Sequence, residues 1–178
     1  MSEKRAFISV WDKQGVEEVA KALTEKYGYE IVSTGGTYDL LKKAGIKAIE
    51  ISELTGFTEL LDGKVKSLHP KIHAGILANR ESEKEMKELK DNGIEPFDII
   101  IVNLYPFAEA RLTPKTDGEI IKFIDIGGVT LLRGAGKNYA SVASISSPSI
   151  YKDLLEDLEK NNGKTSLEFR QKAAVEAF

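Results

Sequence analysis

The sequence predicts one three-layer α/β domain over residues 1–178, a mainly parallel sheet flanked by helices. Three observations carry that expectation. In the first third of the chain, short runs rich in β-branched and aromatic residues alternate with segments of helical period, which implies βαβ units. Asp98-Ile99-Ile100-Ile101-Val102 is the most apolar strand candidate, as expected of a strand buried on both faces of a parallel sheet. Gly35-Gly36 falls where a strand candidate gives way to a helix candidate, the edge at which open parallel sheets bind ligands.

Taken in order, Ala6 to Val10 reads as a strand, and Val16 to Lys26, with Val16, Val19, Ala20 and Leu23 on one face, as an amphipathic helix. Glu30 to Ser33 is a second strand, Thr37 to Ala44 a helix ended by Gly45, and Ala48 to Ile51 a short third strand. Residues 55–80 have no clear period. Ser82 with Glu85 fits a capping box that opens a charged helix to about Asp91. Thr116 with Glu119 fits another, starting a helix through Phe123 that Asp125-Ile126-Gly127-Gly128 interrupts before Val129 to Ala135 turns helical again. Ser141 to Ile145 is a late strand. Ser147-Pro148 places an N-cap before a first-turn proline and opens a helix to about Lys160. Thr165 with Glu168 starts a last helix that reaches Phe178, and this ending inside a helical pattern reads as a fragment or a detached domain.

Composition narrows the function classes. With 25 basic and 28 acidic residues the net charge is −3, without the basic excess typical of nucleic-acid binding. A phosphate site therefore needs local cations and backbone N–H groups within a mildly acidic whole. No apolar run approaches the roughly 20 residues of a membrane helix. The N-terminus lacks a secretory h-region, so the expected location is cytoplasmic. The absence of cysteine excludes disulfides, thiolate metal sites and cysteine nucleophiles.

Several stretches have the residue types for chemistry. Ser33-Thr34-Gly35-Gly36-Thr37 joins a strand to a helix, and its glycines, hydroxyls and helix-start N–H groups suit an anion. Ser9 and Lys13, at the preceding strand-to-helix turn, face the same edge. A plain βα turn is the alternative. Lys64 and Lys66 stand two apart, so in an extended segment both would point one way, toward an anionic substrate or simply toward solvent. His69 and His73 have helical metal-ligand spacing but no third ligand nearby, and a structural or substrate-edge role for His69 fits better. Asn103-Leu104-Tyr105-Pro106 follows the central strand and can meet a planar ligand, unless Tyr105 packs in the core. Asp125-Ile126-Gly127-Gly128 precedes a helix that carries Arg133 and Lys137. Its glycines expose N–H groups to an oxyanion, or its aspartate merely caps a kinked helix. A bend is needed to bring Asp125 to Lys137, twelve positions on.

Together and in this order the motifs are specific. SVWDKQG at 9–15, STGGT at 33–37, ELTGF at 53–57, LDGKVKSLHPKIHAGILA at 61–78, VNLYPF at 102–107, IDIGGVTLLRGAGKN at 124–138 and SPSIY at 147–151 resemble the IMP cyclohydrolase domain over essentially the whole chain. The glycine turn is shared with methylglyoxal synthase and with the regulatory domain of carbamoyl phosphate synthetase. The VKSLHP, NLYPF and DIGG…LLR…KN segments are not.

The resemblance implies a methylglyoxal-synthase-like fold and conversion of formamidoimidazole carboxamide ribotide to IMP and water, without metal or organic cofactor. By motif, Ser9, Lys13, Ser33, Thr34, Gly35, Gly36 and Thr37 would hold the ribotide phosphate. Lys64, Lys66, Ser67, Asn103, Leu104, Tyr105, Asp125, Ile126, Gly127, Gly128 and Lys137 would surround base and ribose, with Lys66, Tyr105, Asp125 and Lys137 as the catalytic set.

Partners implied are the purine ribonucleotide substrate and its product IMP, a homodimer whose interface runs close to the sites, and a folate-dependent formyltransferase domain that usually follows. Neither nucleic acid nor membrane is expected. The chain departs from the family at Lys64 (usually arginine), Trp11 (usually small), Ser67 (threonine), Gly134 and Gly136 (alanines, so a looser helix before Lys137) and Tyr139 (histidine). Two rivals stay open: methylglyoxal synthase, whose aspartate and histidine motifs are not found, and a nucleotide-binding regulatory module without catalysis.

Overall fold

Strand β1 (Lys4–Val10) shows how the sheet forms. Ala6, Ile8 and Val10 point into one apolar cluster while Phe7 enters another, the two-residue alternation of a strand covered on both faces. The structure, a computed structural model, describes residues 4–61, 63–113 and 115–178.

Around β1 the elements run α1 (Val16–Lys21, wound on as a π-helix over Ala22–Lys26), β2 (Tyr29–Ser33), α2 (Gly35–Lys43), β3 (Ile49–Glu50) and α3 (Ile51–Thr55). Then come α4 (Pro70–Leu77), α5 (Glu83–Asp91), β4 (Ile99–Asn103), α6 (Phe107–Ala110) and α7 (Asp117–Ile120, tightening to 3₁₀ over Ile121–Phe123). The chain continues through α8 (Gly127–Lys137), β5 (Ala143–Ile145), α9 (Tyr151–Lys160, entered through a 3₁₀ turn at Pro148–Ile150) and α10 (Leu167–Glu176).

The strands form one sheet of order β3-β2-β1-β4-β5, and every neighbouring pair is parallel. Helices α1, α2 and α9 cover one face, where Val16, Val19, Leu23, Leu41, Leu154 and Leu158 meet Ile99 and Ile101 of β4. Ile72 and Ile76 of α4 and Leu131, Leu132 and Ala135 of α8 cover the other, against Ile100 and Val102. The three-layer α/β expectation holds. The strand order reverses between β1 and β4, which opens a crevice at their carboxyl ends.

Where the structure departs from the sequence reading, local chemistry explains it. β3 stops at Glu50 because that residue's carboxylate accepts Ser52 N–H and caps α3. α4 was hidden in residues 55–80. His69 caps it by accepting Lys71 N–H at Nδ1, and Pro70 occupies its first turn. The last helix is capped by Ser166, whose Oγ accepts Phe169 N–H, one residue after the expected Thr165. Both expected capping residues upstream do act: Ser82 Oγ accepts Glu85 N–H at 3.3 Å, and Thr116 donates its N–H and hydroxyl to Glu119, each at 2.8 Å. Among the described residues no helix is long and apolar enough to cross a membrane.

Candidate functional site at the carboxyl edge of the sheet

The turn after β2 is built around Gly35, whose φ of +47° is costly for any residue with a Cβ. Thr34 is extended at the N-cap position, yet its hydroxyl makes no cap bond. Thr34 Oγ1 lies instead 2.9 Å from Ser9 Oγ at the end of β1. The first N–H groups of α2 thus have neither an intrahelical acceptor nor a side-chain cap.

Thr37 ties this turn to β1: its hydroxyl donates to Val10 O and accepts Val10 N–H, both at 3.1 Å. Lys13 reaches over the same spot, donating to Thr37 Oγ1 at 3.0 Å and to Val10 O. Burial lowers the Lys13 pKa, and Asp12 only partly counteracts it. A half-desolvated ammonium beside open N–H groups is a seat for an anion. Ser33 does not take part. Fully buried, it spends its hydroxyl on Ile8 O at 2.6 Å, cross-linking β2 to β1, because it is the last strand residue and points into the sheet.

A chain of close approaches leads from this turn to the Asp125 segment. The Lys66 ammonium rests 3.3 Å from where a Gly35 side chain would begin. Next to it, Ser67 Oγ stands 2.6 Å from the corresponding point of Gly127, and Leu104 Cδ2 and Asp125 Oδ2 stand 2.9 and 2.7 Å from that of Gly128. Asp125 Oδ1 accepts Gly128 N–H at 2.7 Å, so it does cap α8. Burial raises the Asp125 pKa, and the Gly128 hydrogen bond opposes the rise. Ile126, in the same turn, is exposed.

Asn103 ends β4 at the crevice, but its amide is committed to the β1–α1 loop. Oδ1 accepts Trp11 N–H at 2.6 Å and Asp12 N–H at 2.8 Å, while Nδ2 donates to Asp12 O at 2.9 Å. It therefore positions that loop at the crevice. The loop in turn presents Trp11, whose ring meets Tyr105 edge-on at 5.0 Å and Phe123 at 6.0 Å. Tyr105 is not a core residue; it is half exposed on an aromatic wall. Trp11 and Phe123 were not among the expected site residues, although the departure at position 11 was the available signal.

Two lysines do not behave as expected. Leu60 and Val65 bridge antiparallel, which is not an extended run, so Lys64 sits exposed in a turn while Lys66 folds inward. Lys137 lies at the far end of α8, an unbroken helix of 11 residues, hence about 15 Å along the axis from Gly127. The residues after it belong to the opposite edge: Asn138 Nδ2 donates to Ile76 O and Ala78 O, and Arg170 Nε to Tyr139 O. Within one chain Asp125 and Lys137 do not meet, because no bend intervenes. Gly134 and Gly136 do not loosen the helix. They allow close packing against Ile76 and the Phe178 ring.

Among the described residues no group of three His, Cys, Asp or Glu is placed to hold a metal. His69 is an N-cap, and burial lowers the His73 pKa. A depression of about 910 Å³ between α1 and α9 is lined by Asp12, Glu18, Glu156 and Glu159 against Lys26 and Lys152, a charge balance that suits phosphate poorly.

The MGS-like domain family matches residues 15–130. The chain belongs to this family. Residues 135–178 match a second family, the AICARFT/IMPCHase bienzyme. Similar proteins include the bifunctional purine biosynthesis protein PurH of Microcystis aeruginosa, 48% identical over 97% of this chain and 34% of that protein. PurH of Clostridium beijerinckii is 50% identical over 99% of this chain and 35% of that protein. The chain thus spans about a third of the length of these relatives. The crystal structure of ForH superposes with a TM-score of 0.86 at 36% identity, covering 99% of this chain and 92% of that one.

Proposed function

We propose that this chain closes the purine ring, converting formamidoimidazole carboxamide ribotide to IMP and water, without a metal or organic cofactor. The observation that carries the reading is the run of contacts from the Gly35 turn through Lys66 and Ser67 to Gly127, Gly128 and Asp125, one crevice at the strand-order reversal. A phosphate fits the end formed by Ser9, Lys13, Thr34, Gly35, Gly36 and Thr37. The heterocycle then extends past Lys66 and Ser67 toward Leu104, Tyr105 and Asp125, with Trp11 and Phe123 extending the aromatic wall.

The carboxamide nitrogen attacks the formyl carbon, a carbinolamine forms, and water leaves. Nucleophile and electrophile are already tethered, so the crevice contributes mainly by holding the productive rotamer. Negative charge on the formyl oxygen falls to Lys66 and the N–H groups at Ile126-Gly127, where losing one donor typically costs about 10²–10³-fold. Asp125 takes a proton from the attacking nitrogen and passes it to the carbinolamine oxygen. The formamido N–H proton, lost as the C=N bond forms, lets that oxygen leave as water, with Tyr105 orienting or donating.

Lys137 enters this chemistry only from a second copy, in keeping with the homodimer proposed here. Lys137→Ala is accordingly expected to lower turnover about tenfold where the chain is dimeric, with a smaller loss on dilution. Turnover against protein concentration, beside sedimentation, checks this.

The deciding assay is the ultraviolet absorbance change as the purified chain acts on the formamido ribotide. Tight IMP binding without cyclisation would instead identify a regulatory module, and methylglyoxal from dihydroxyacetone phosphate would identify the synthase. The formyltransferase step is assigned to the part of the relatives this chain does not span.

A further inference from the structure

The hairpin beside the crevice contains an ion pair of which the ring-closing chemistry uses only one member. Leu60 and Val65 form an antiparallel bridge, with Val65 N–H donating to Leu60 O at 3.4 Å and Gly63 N–H to the same oxygen at 3.1 Å. In antiparallel register the next facing pair outward is Glu59 and Lys66. Their side chains are ion-paired.

Gly63 makes room for the pair. A Cβ there would overlap the Lys66 side chain, lying 2.9 Å from Nζ and 3.3 Å from Glu59 Oε2, and the φ of +80° already favours glycine. The same ammonium rests 3.3 Å from the Gly35 Cβ position. Hairpin register, an open glycine seat and the anion turn therefore converge on one nitrogen.

We propose that Glu59 is a positioning residue for Lys66: its carboxylate holds the ammonium over the Gly35 turn and is displaced from it by the incoming anion. The proposal deepens the reading above: it rests on the Gly35 turn being the phosphate end, adds Lys66 to that end beside its role toward the formyl oxygen, and does not depend on purine chemistry. An ammonium has three donors, but two anions gathered on it repel each other, so the resident carboxylate competes with the arriving phosphate. Lys66 is largely covered, with 26% of its side chain exposed, whereas Glu59 is more than half exposed. The carboxylate can swing into water when the anion arrives, and the lysine stays.

The test is titration with inorganic phosphate at low ionic strength, following the ¹⁵N shifts of the Gly35 and Gly36 amides. Glu59→Gln keeps the side-chain length and is expected to tighten phosphate binding roughly two- to fivefold, the range of partly exposed ion pairs. Lys66→Gln is expected to weaken it, and adding Glu59→Gln to Lys66→Gln should change nothing further. A purely structural glutamate would give unchanged or weaker binding in Glu59→Gln, and either result overturns the proposal. So does a gain that persists in the Lys66→Gln background, which would mean a through-space charge effect, or a parent chain whose two glycine amides ignore phosphate. If glutamine disturbs the hairpin, Glu59→Ser asks the same question. Ring closure is scored separately, so loss of that reading and loss of this one are distinguishable.

Discussion

Asp125→Ala is expected to lower ring closure by at least tenfold, and Asp125→Asn to do the same, while the two variants diverge in stability. The proposed role needs a carboxylate, and groups that move protons typically contribute about 10²–10⁴-fold. The structural role needs only an acceptor for Gly128 N–H, held at 2.7 Å. Alanine removes both and gives up a helix cap, a loss of about 0.5–2 kcal/mol. Asparagine keeps the acceptor.

The sign of the pH effect follows from burial. The Asp125 pKa is raised in the folded chain, with the Gly128 bond working against the rise. The folded state therefore binds this proton more tightly than the unfolded chain does. The stability this group contributes is complete below the unfolded carboxylate pKa, about 3.9, and is lost as pH rises through the folded value. At neutral pH the charged carboxylate is a burden. Asp125→Asn should melt at or above the parent at pH 7, and the advantage should shrink in acid. Thermal melts and turnover measured from acid to neutral pH read both effects. Near-normal turnover in both variants would remove Asp125 from the chemistry.

Most of the fold was legible because it depends on periodicity. β1, β2 and β4 alternate cleanly between two apolar clusters, and the Ser82 and Thr116 caps act where the spacing placed them. α4 was not legible. Its apolar positions, Ile72 and Ile76, bracket Gly75, which is small because Glu95 O would lie 2.9 Å from its Cβ and the Phe97 ring 3.1 Å. A tertiary approach chose that residue, and a periodicity count cannot see it.

The site divides along the same line. The glycine turns were legible as helix starts, which expose N–H groups wherever they occur. Ser33 and Asn103 carry bonds that spacing does not show, because strand-end polar groups are equally useful for tying neighbouring loops, and only coordinates reveal Ile8 O and the Trp11–Asp12 backbone as their partners. Lys137 sits in one continuous motif with Asp125, yet helical rise carries the two apart. Adjacency in a motif is not adjacency in space.

Gly128→Ala should separate site from scaffold most sharply. In an ordinary helix interior, exchanging glycine for alanine stabilises by about 0.5–1 kcal/mol. Position 128 lies in the first turn of α8, and the conformation itself raises no objection, since its φ is not in the left-handed region. The objection is space. The new methyl would begin 2.7 Å from Asp125 Oδ2 and 2.9 Å from Leu104 Cδ2, so both groups have to move.

Both line the crevice, and Asp125 is held by the very N–H that the substituted residue carries. Small displacements of positioned groups cost disproportionately, since a shift of about 1 Å can lose about 10²-fold in rate. Turnover is therefore expected to fall about a hundredfold, while the unfolding free energy in urea falls by no more than loss of the Asp125 cap would cost, about 0.5–2 kcal/mol. A mild loss would mean that the carboxylate can give way to the methyl without leaving its working position. A severe loss with an intact fold means that Gly128 is small for the sake of the carboxylate beside it.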